Sequence, residues 1–187
     1  TNRVRSYDLA TGEVIWEASG MTLNVIPMPV YEDGVVYVTS GFRGNALMAI
    51  RLEGASGDVT GTDRVLWTFD QDTPYVPSPL LYGGRLYFLK RNNPILTVFD
   101  AASGERLYGP ERLEGMTNVY ASPVGAAGRV YFVGRKGGAV VLEDGPELKV
   151  LANNQLDDAF DASPVIVGDV IYLRGRSHLY AIAKAAP

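Results

Sequence analysis

Four prolines in this chain are each followed, eight residues later, by a tyrosine: Pro29 and Tyr37, Pro79 and Tyr87, Pro123 and Tyr131, Pro164 and Tyr172. Three of the prolines follow a serine (Ser78, Ser122, Ser163), and the fourth follows Met28. Between proline and tyrosine lies a turn pair: Asp33-Gly34, Gly83-Gly84, Ala127-Gly128 or Gly168-Asp169. Each tyrosine then belongs to a second apolar run, such as Val35-Val36-Tyr37-Val38. Two β-branched or aromatic runs joined by a two-residue Gly or Asp turn specify a β-hairpin. The unit recurs at tyrosine spacings of 50, 44 and 41 residues, a period that marks a repeat architecture.

Each hairpin leads through a polar loop to a third run, at residues 46–50, 95–99, 139–142 and 179–182. Three of these continue to a fourth, at 64–69, 105–108 and 148–151. Four short strands per unit predict an all-β chain of four-stranded antiparallel blades, a β-propeller. No segment sustains a helical apolar period for three turns. Residues 3–7 and 13–17 read as the third and fourth strands of a half blade, and the last unit stops after its third strand. The units span 1–19 (half blade), 27–69, 78–113, 122–152 and 163–184, about four blade equivalents in one partial domain.

Between the third and fourth strands of the half blade stands Asp8-Leu9-Ala10-Thr11-Gly12-Glu13-Val14-Ile15-Trp16. It matches the tryptophan-docking motif Ala-x-Asp-x-x-Thr-Gly-x-x-x-Trp, with Ser6 at the leading position. Asp8 and Thr11 are expected to cap the turn, Gly12 to take a positive φ, and Trp16 to pack on the neighbouring blade. A weaker copy has Val98, Asp100, Ser103, Gly104 and, in place of Trp, Tyr108. A third keeps Ala49 and Trp67 but has Arg51 for Asp and a Gly-, Thr- and Asp-rich insertion from Gly54 to Asp63. In the next unit the motif has decayed to Val141-Leu142-Glu143-Asp144-Gly145-Pro146.

On these residues the chain resembles the PQQ-like, quinoprotein-type propeller repeat proteins, which include the quinoprotein dehydrogenases and BamB-like proteins. The resemblance implies a whole of seven or eight blades, of which this chain looks like a C-terminal half. It also implies an extracytoplasmic, periplasmic setting. Half a ring would expose two apolar blade faces, so self-association through those faces is an expected outcome.

Composition narrows the chemistry. The chain has 187 residues, a net charge of −4 and no dense basic stripe, which argues against a nucleic-acid partner. No apolar run approaches the roughly 18 residues of a membrane span. The sequence opens with Thr1-Asn2-Arg3, so any signal peptide is expected upstream. Without cysteine, thiolate catalysis, sulfur-ligated metals and the vicinal disulfide of PQQ-binding relatives are excluded. His178 is the only histidine, and no catalytic triad or histidine metal site can be assembled around it. Asp157, Asp158 and Asp161 form an acidic cluster that reads as a calcium loop or, more simply, as a solvated inter-blade loop. No catalytic residue, PQQ or calcium is expected, and Trp16 and Trp67 are expected to dock blades rather than stack a ligand.

One binding constellation remains. In a propeller, fourth-to-first and second-to-third strand loops open on the same face. The first set carries Asn24, Tyr75, Asn118, Tyr120 and Asp161; the second carries Arg43, Lys90-Arg91, Arg135-Lys136 and Arg174-Gly175-Arg176. Arg91, Arg135 and Arg176 each follow the repeat tyrosine by four residues. That register predicts a rim of cations and tyrosines suited to a protein or peptide partner, with polar loop solvation as the alternative. The expected function is a non-catalytic protein-interaction scaffold. The alternatives are a fragment of a PQQ-dependent oxidoreductase with its active site elsewhere, and a sugar- or peptide-binding sensor.

Overall fold

The computed structural model describes residues 2–184. Among these there are eighteen strands and no helix, arranged in five sheets. The first pairs β1 (Arg3–Tyr7) with β2 (Val14–Ser19). The second runs β3 (Val30–Glu32), β4 (Val35–Ser40), β5 (Ala46–Arg51) and, after a short β6 (Gly57–Asp58), β7 (Val65–Phe69). The third holds β8 (Leu80–Tyr82), β9 (Arg85–Leu89), β10 (Ile95–Asp100) and β11 (Arg106–Arg112). The fourth holds β12 (Val124–Ala126), β13 (Arg129–Val133), β14 (Gly138–Glu143) and β15 (Val150–Gln155). The fifth holds β16 (Val165–Val167), β17 (Val170–Arg174) and β18 (Leu179–Ile182).

Within each full sheet, strands neighbour one another in chain order and antiparallel, as a propeller blade requires. The first strands β3, β8 and β12 touch one another between blades, which places them innermost. Around that inner edge runs a serine relay. Met28 N–H donates to Ser78 Oγ (2.9 Å), Ser78 N–H to Ser122 Oγ (3.0 Å), and Ser122 N–H to Ser163 Oγ (2.9 Å). The Ser-Pro dipeptide is thereby explained: serine accepts from the preceding blade, and proline starts the inner strand with no amide of its own to satisfy.

The insertion is not a free loop. Gly57–Asp58 pairs parallel with β2, Val59 N–H donates to Glu17 O (2.9 Å), and Ser19 N–H donates to Thr60 Oγ1 (2.8 Å). Buried Ala55 and Val59 pack on Trp16 together with Met48 and Ile50. The insertion thus completes the first blade's outer edge with a third strand. The fourth strand of the fourth blade lies later than the apolar run at 148–151 suggests. Its polar residues Asn153 and Gln155 bond Glu114 O and Lys136 O at 2.8 and 2.7 Å, which carries the pairing into a stretch with no apolar pattern.

An aromatic lock joins the second and third blades. Tyr37 Oη and Trp67 Nε1 both donate to Ala101 O at 3.1 Å, and the Trp67 ring lies over Gly104. A β-carbon at Gly104 (φ +73°) would come within 2.6 Å of the indole; Gly12 has the same φ in the equivalent turn with nothing near it. Gly104→Ala should therefore destabilise by about 2–4 kcal/mol, combining left-handed strain with overpacking. Gly12→Ala should lose only the strain, about 1–2 kcal/mol. Equal losses in urea unfolding would show that the indole contact contributes nothing.

Candidate partner-binding rim

Backbone register, before any side chain, assembles the rim. Arg91 N–H donates to Thr73 O (3.0 Å), Arg135 N–H to Asn118 O (2.8 Å) and Arg176 N–H to Ala159 O (2.9 Å). Returning bonds run from Tyr75 N–H to Arg91 O (3.4 Å), Val119 N–H to Asn92 O (2.7 Å) and Phe160 N–H to Arg135 O (3.2 Å). Fourth-to-first and second-to-third loops therefore alternate around one face as a hydrogen-bonded belt. The position four residues after the repeat tyrosine is where each hairpin loop grips its neighbour, which accounts for the spacing of the three arginines.

Side chains then divide the belt into two parts. Tyr75 accepts from Asn24 Nδ2 (2.8 Å) and stacks on Phe42 with ring centroids 4.9 Å apart; the Arg43 guanidinium lies 5.4 Å from the Phe42 ring. The connection carrying Asn24 also exposes Leu23, Val25, Ile26 and Met28. Arg43 and Arg91 both hold φ near +52°, uncommon for side chains of their type. Arg91 is exposed at the surface of the belt.

At the other part, Tyr120, Arg135 and Asp161 satisfy one another. Arg135 Nε meets Asp161 Oδ1 at 2.5 Å, Nη2 meets Oδ2 at 3.2 Å, and the guanidinium lies 4.2 Å from the Tyr120 centroid. This arginine fastens two inter-blade loops together and is not a spare cation for a partner. Among the described residues Arg91 and Arg176 make no ion pair. Arg176 flanks an open hollow of about 240 Å³ shared with Asp161 and Arg174.

The acidic cluster separates. The Asp158 side chain, 3% exposed in a half-buried residue, accepts from the amides of Ala159 (2.7 Å), Ser177 (3.1 Å) and His178 (3.1 Å) and from Tyr180 Oη (3.3 Å). Burial pushes its carboxyl up, but these donors outweigh burial and hold it below the usual carboxylate range. The simpler expectation of a solvated loop is therefore corrected at Asp158, which fastens the last hairpin loop. The His178 side chain is largely exposed, with Nδ1 3.6 Å from Asp158. Among the described residues no three acidic or imidazole groups gather to hold a metal.

The turn residues sit away from this face. Asp8 Oδ1 accepts from Ala10 N (2.9 Å) and Thr11 N (2.8 Å), and Asp100 Oδ1 accepts from Ser103 N and Oγ, both at 2.8 Å. These bonds hold both carboxyls below their usual range. Asp144, which in the sequence is only part of a decayed motif, occupies the turn position of Ala101: each donates its amide to the hairpin glycine, Gly128 or Gly84. Its carboxylate takes Arg85 in a bidentate pair (2.7 and 2.8 Å) and accepts from Tyr87 Oη (2.6 Å). Burial, then this carboxylate, pushes the Tyr87 phenol up to about 12. Sequence reasoning passed over Phe42; one aromatic inside a polar loop was its signal.

Radial four-stranded blades, locked by aromatic side chains on the turn between third and fourth strands, define a quinoprotein-type propeller. The family described as outer membrane protein assembly factor BamB matches residues 1–186, and the chain belongs to that family. Among solved structures, the computationally designed Ika8 protein matches at TM-score 0.69 and 12% identity, over 97% of this chain and 52% of that one. The designed Ika4 protein matches at 0.66 and 11%, over 94% of this chain and 100% of that one. At such identities the likeness shows the fold alone. BamB from Moraxella catarrhalis is matched at 0.43 and 15%, over 93% of this chain and 61% of that one. The chain thus spans about half of Ika8 and about three fifths of that BamB. No curated protein sequence matches it.

Burial pushes the Asp144 carboxyl up, and the bonds from Arg85 and Tyr87 overcome it, leaving the group below its ordinary value. A depressed carboxylate lends stability in full above its unfolded value of about 3.9, and that stability is lost as pH falls through the folded value. Asp144→Asn should therefore cost about 2 kcal/mol at pH 7. The deficit relative to wild type should shrink below pH of about 4. A deficit unchanged down to pH of about 2 in denaturant titrations would mean that the ion pair contributes nothing.

Proposed function

We propose that the chain is a non-catalytic interaction module whose belt face receives a protein or peptide partner outside the cytoplasm. The carrying observation is the part of the belt around Tyr75. There Asn24, Phe42, Tyr75 and Arg43 form a braced cluster, next to exposed Leu23, Val25, Ile26 and Met28 on the same connection. Aromatic and arginine anchors beside apolar surface, on loops already held in place, are the composition of a binding hot spot. Preorganisation favours binding further, because the belt's backbone bonds fix the loops before a partner arrives. The extracytoplasmic setting rests on the family, whose description concerns outer-membrane assembly. Among the described residues no helix is long and apolar enough to cross a membrane.

The donor chemistry does not suit a PQQ–calcium centre. The chain has no cysteine, Asp158 is taken up by backbone amides and Asp161 by Arg135.

Photo-crosslinking residues placed at Leu23 and Arg91 should capture one discrete partner in cells that make the protein, while one at Ala102, on the opposite face, should capture none. Arg91→Glu combined with Arg176→Glu should weaken that capture about tenfold without moving Tm. Equal capture from both faces would overturn the assignment. Arg135→Glu serves as the contrast and should lower Tm.

Self-association has its own observation: Val165, Val167, Tyr172 and Leu179 lie exposed on the last blade. Light scattering should give twice the 20.2 kDa mass of the chain. A monomer at high concentration would show that these side chains remain solvated.

A further inference from the structure

We propose that the crevice between the fourth and fifth blades is a binding site for a small, neutral, flat aromatic molecule of phenol or indole size. The strand registers of the repeat show what this crevice lacks. Between the second and third blades, Phe69 sits opposite Leu47, and its ring meets Phe99 at 4.8 Å and Phe88 at 6.1 Å between centroids. Trp67, opposite Ala49, closes the same space from the outer side. One interface has the same slots filled differently. Asn154 stands opposite Ala139 where Phe69 faces Leu47, and Ala152 stands opposite Val141 where Trp67 faces Ala49. Across the gap, Leu173 and Ile182 hold the positions of Phe88 and Phe99.

Aromatic rings are thus replaced by smaller side chains on both walls, while the blades keep the repeat's strand register. What results is a crevice of about 360 Å³ lined by Tyr131, Val141, Ile171, Leu173 and the partly exposed Ile182, with the exposed Asn154 and Gln155 among its lining residues. An apolar cavity of about 150 Å³ suffices for benzene, and pockets of small ligands begin near 300 Å³. The walls carry no charged side chain, so an ionised ligand would lose its hydration without compensation. Gln155 Nε2 is held by Lys136 O and Leu156 O at 2.7 and 3.0 Å. The Asn154 amide, on the strand opposite Ala139, supplies a polar contact for a phenol hydroxyl or an indole N–H. The occupant's chemistry is that of the ring which the repeat places in this slot two interfaces earlier.

Indole and phenol are the probes. Titrated into the protein with labelled isoleucine methyl groups, either should shift Ile171 and Ile182 saturably through its ring current. Asn154→Phe restores the missing ring from within, and should raise Tm while weakening indole binding at least about tenfold. Ala139→Leu fills the crevice from the other strand and should act in the same direction, which keeps the test independent of either variant's folding. Shifts absent at millimolar probe, shifts centred on other methyl groups, or binding undiminished in both filled variants would each overturn the proposal. The belt-face assignment is untouched by any of these outcomes, because the crevice shares no residue with it.

Discussion

Each blade must bury one apolar face against the next, and the third-to-fourth turn is where that contact is locked. The turn is stiff because an Asp or Ser side chain bonds its own backbone, as Asp100 and Ser103 do. A stiff turn can hold a carbonyl in a fixed place, and Ala101 O receives both the hairpin tyrosine and the fourth-strand tryptophan of the preceding blade. Neither donor would be satisfied in an apolar interface without that acceptor. The tyrosine that recurs along the sequence is therefore a hydrogen-bonding element as much as a packing one.

The same slot is filled by different chemistry at successive interfaces. After the first blade, the acceptor turn is displaced by an insertion that covers Trp16 itself. The third interface uses a carboxylate: Asp144 replaces a backbone carbonyl and recruits Arg85 alongside Tyr87. Tyr108 stands there in the tryptophan position, with its buried hydroxyl unpartnered among the described residues. At the fourth, Ala152 faces Val141 and a crevice opens. Apolar burial contributes roughly 25 cal/mol per Å², so an interface that loses two aromatic rings is the weaker one. Cohesion is concentrated at the second and third interfaces, where Tyr37, Phe88, Phe99 and Tyr87 are buried.

Local features were legible in the sequence, and contacts across long separations were not. Hairpins, third strands and the Asp8 and Asp100 turns follow from residues a few positions apart. The parallel pairing of Gly57–Asp58 with β2 has no local signal, since its register partners lie 41 positions apart. Glu143-Asp144-Gly145 looks like a decayed motif because it lacks the expected Asp and Trp, yet its function passed to a residue one place along. The rim divides similarly. Register placed Arg91, Arg135 and Arg176 on one face, but only the three-dimensional arrangement shows Arg135 consumed by Asp161 and Tyr120.

Two sets of bonds run around the blades at different radii, and together they explain why loops can be functional without being loose. At the inner edge the serine relay ties strand starts together; on one face the belt ties loop to loop, amide to carbonyl. The belt uses backbone groups alone, so side chains on that face are released from structural duty wherever the backbone suffices. Around Tyr75 this leaves Leu23, Ile26, Met28 and Arg91 outward, held on a rigid base. Around Tyr120 the belt is reinforced by an ion pair, and the side chains there are consumed in holding it. Ion pairs reinforce the belt at both places: Lys90 meets Asp72 at 2.9 Å beside the third blade, and Arg135 meets Asp161 between the fourth and fifth. An interface short of apolar contact gains most from a bond at its edge, and Arg135 with Asp161 supplies that bond across the gap between the fourth and fifth blades.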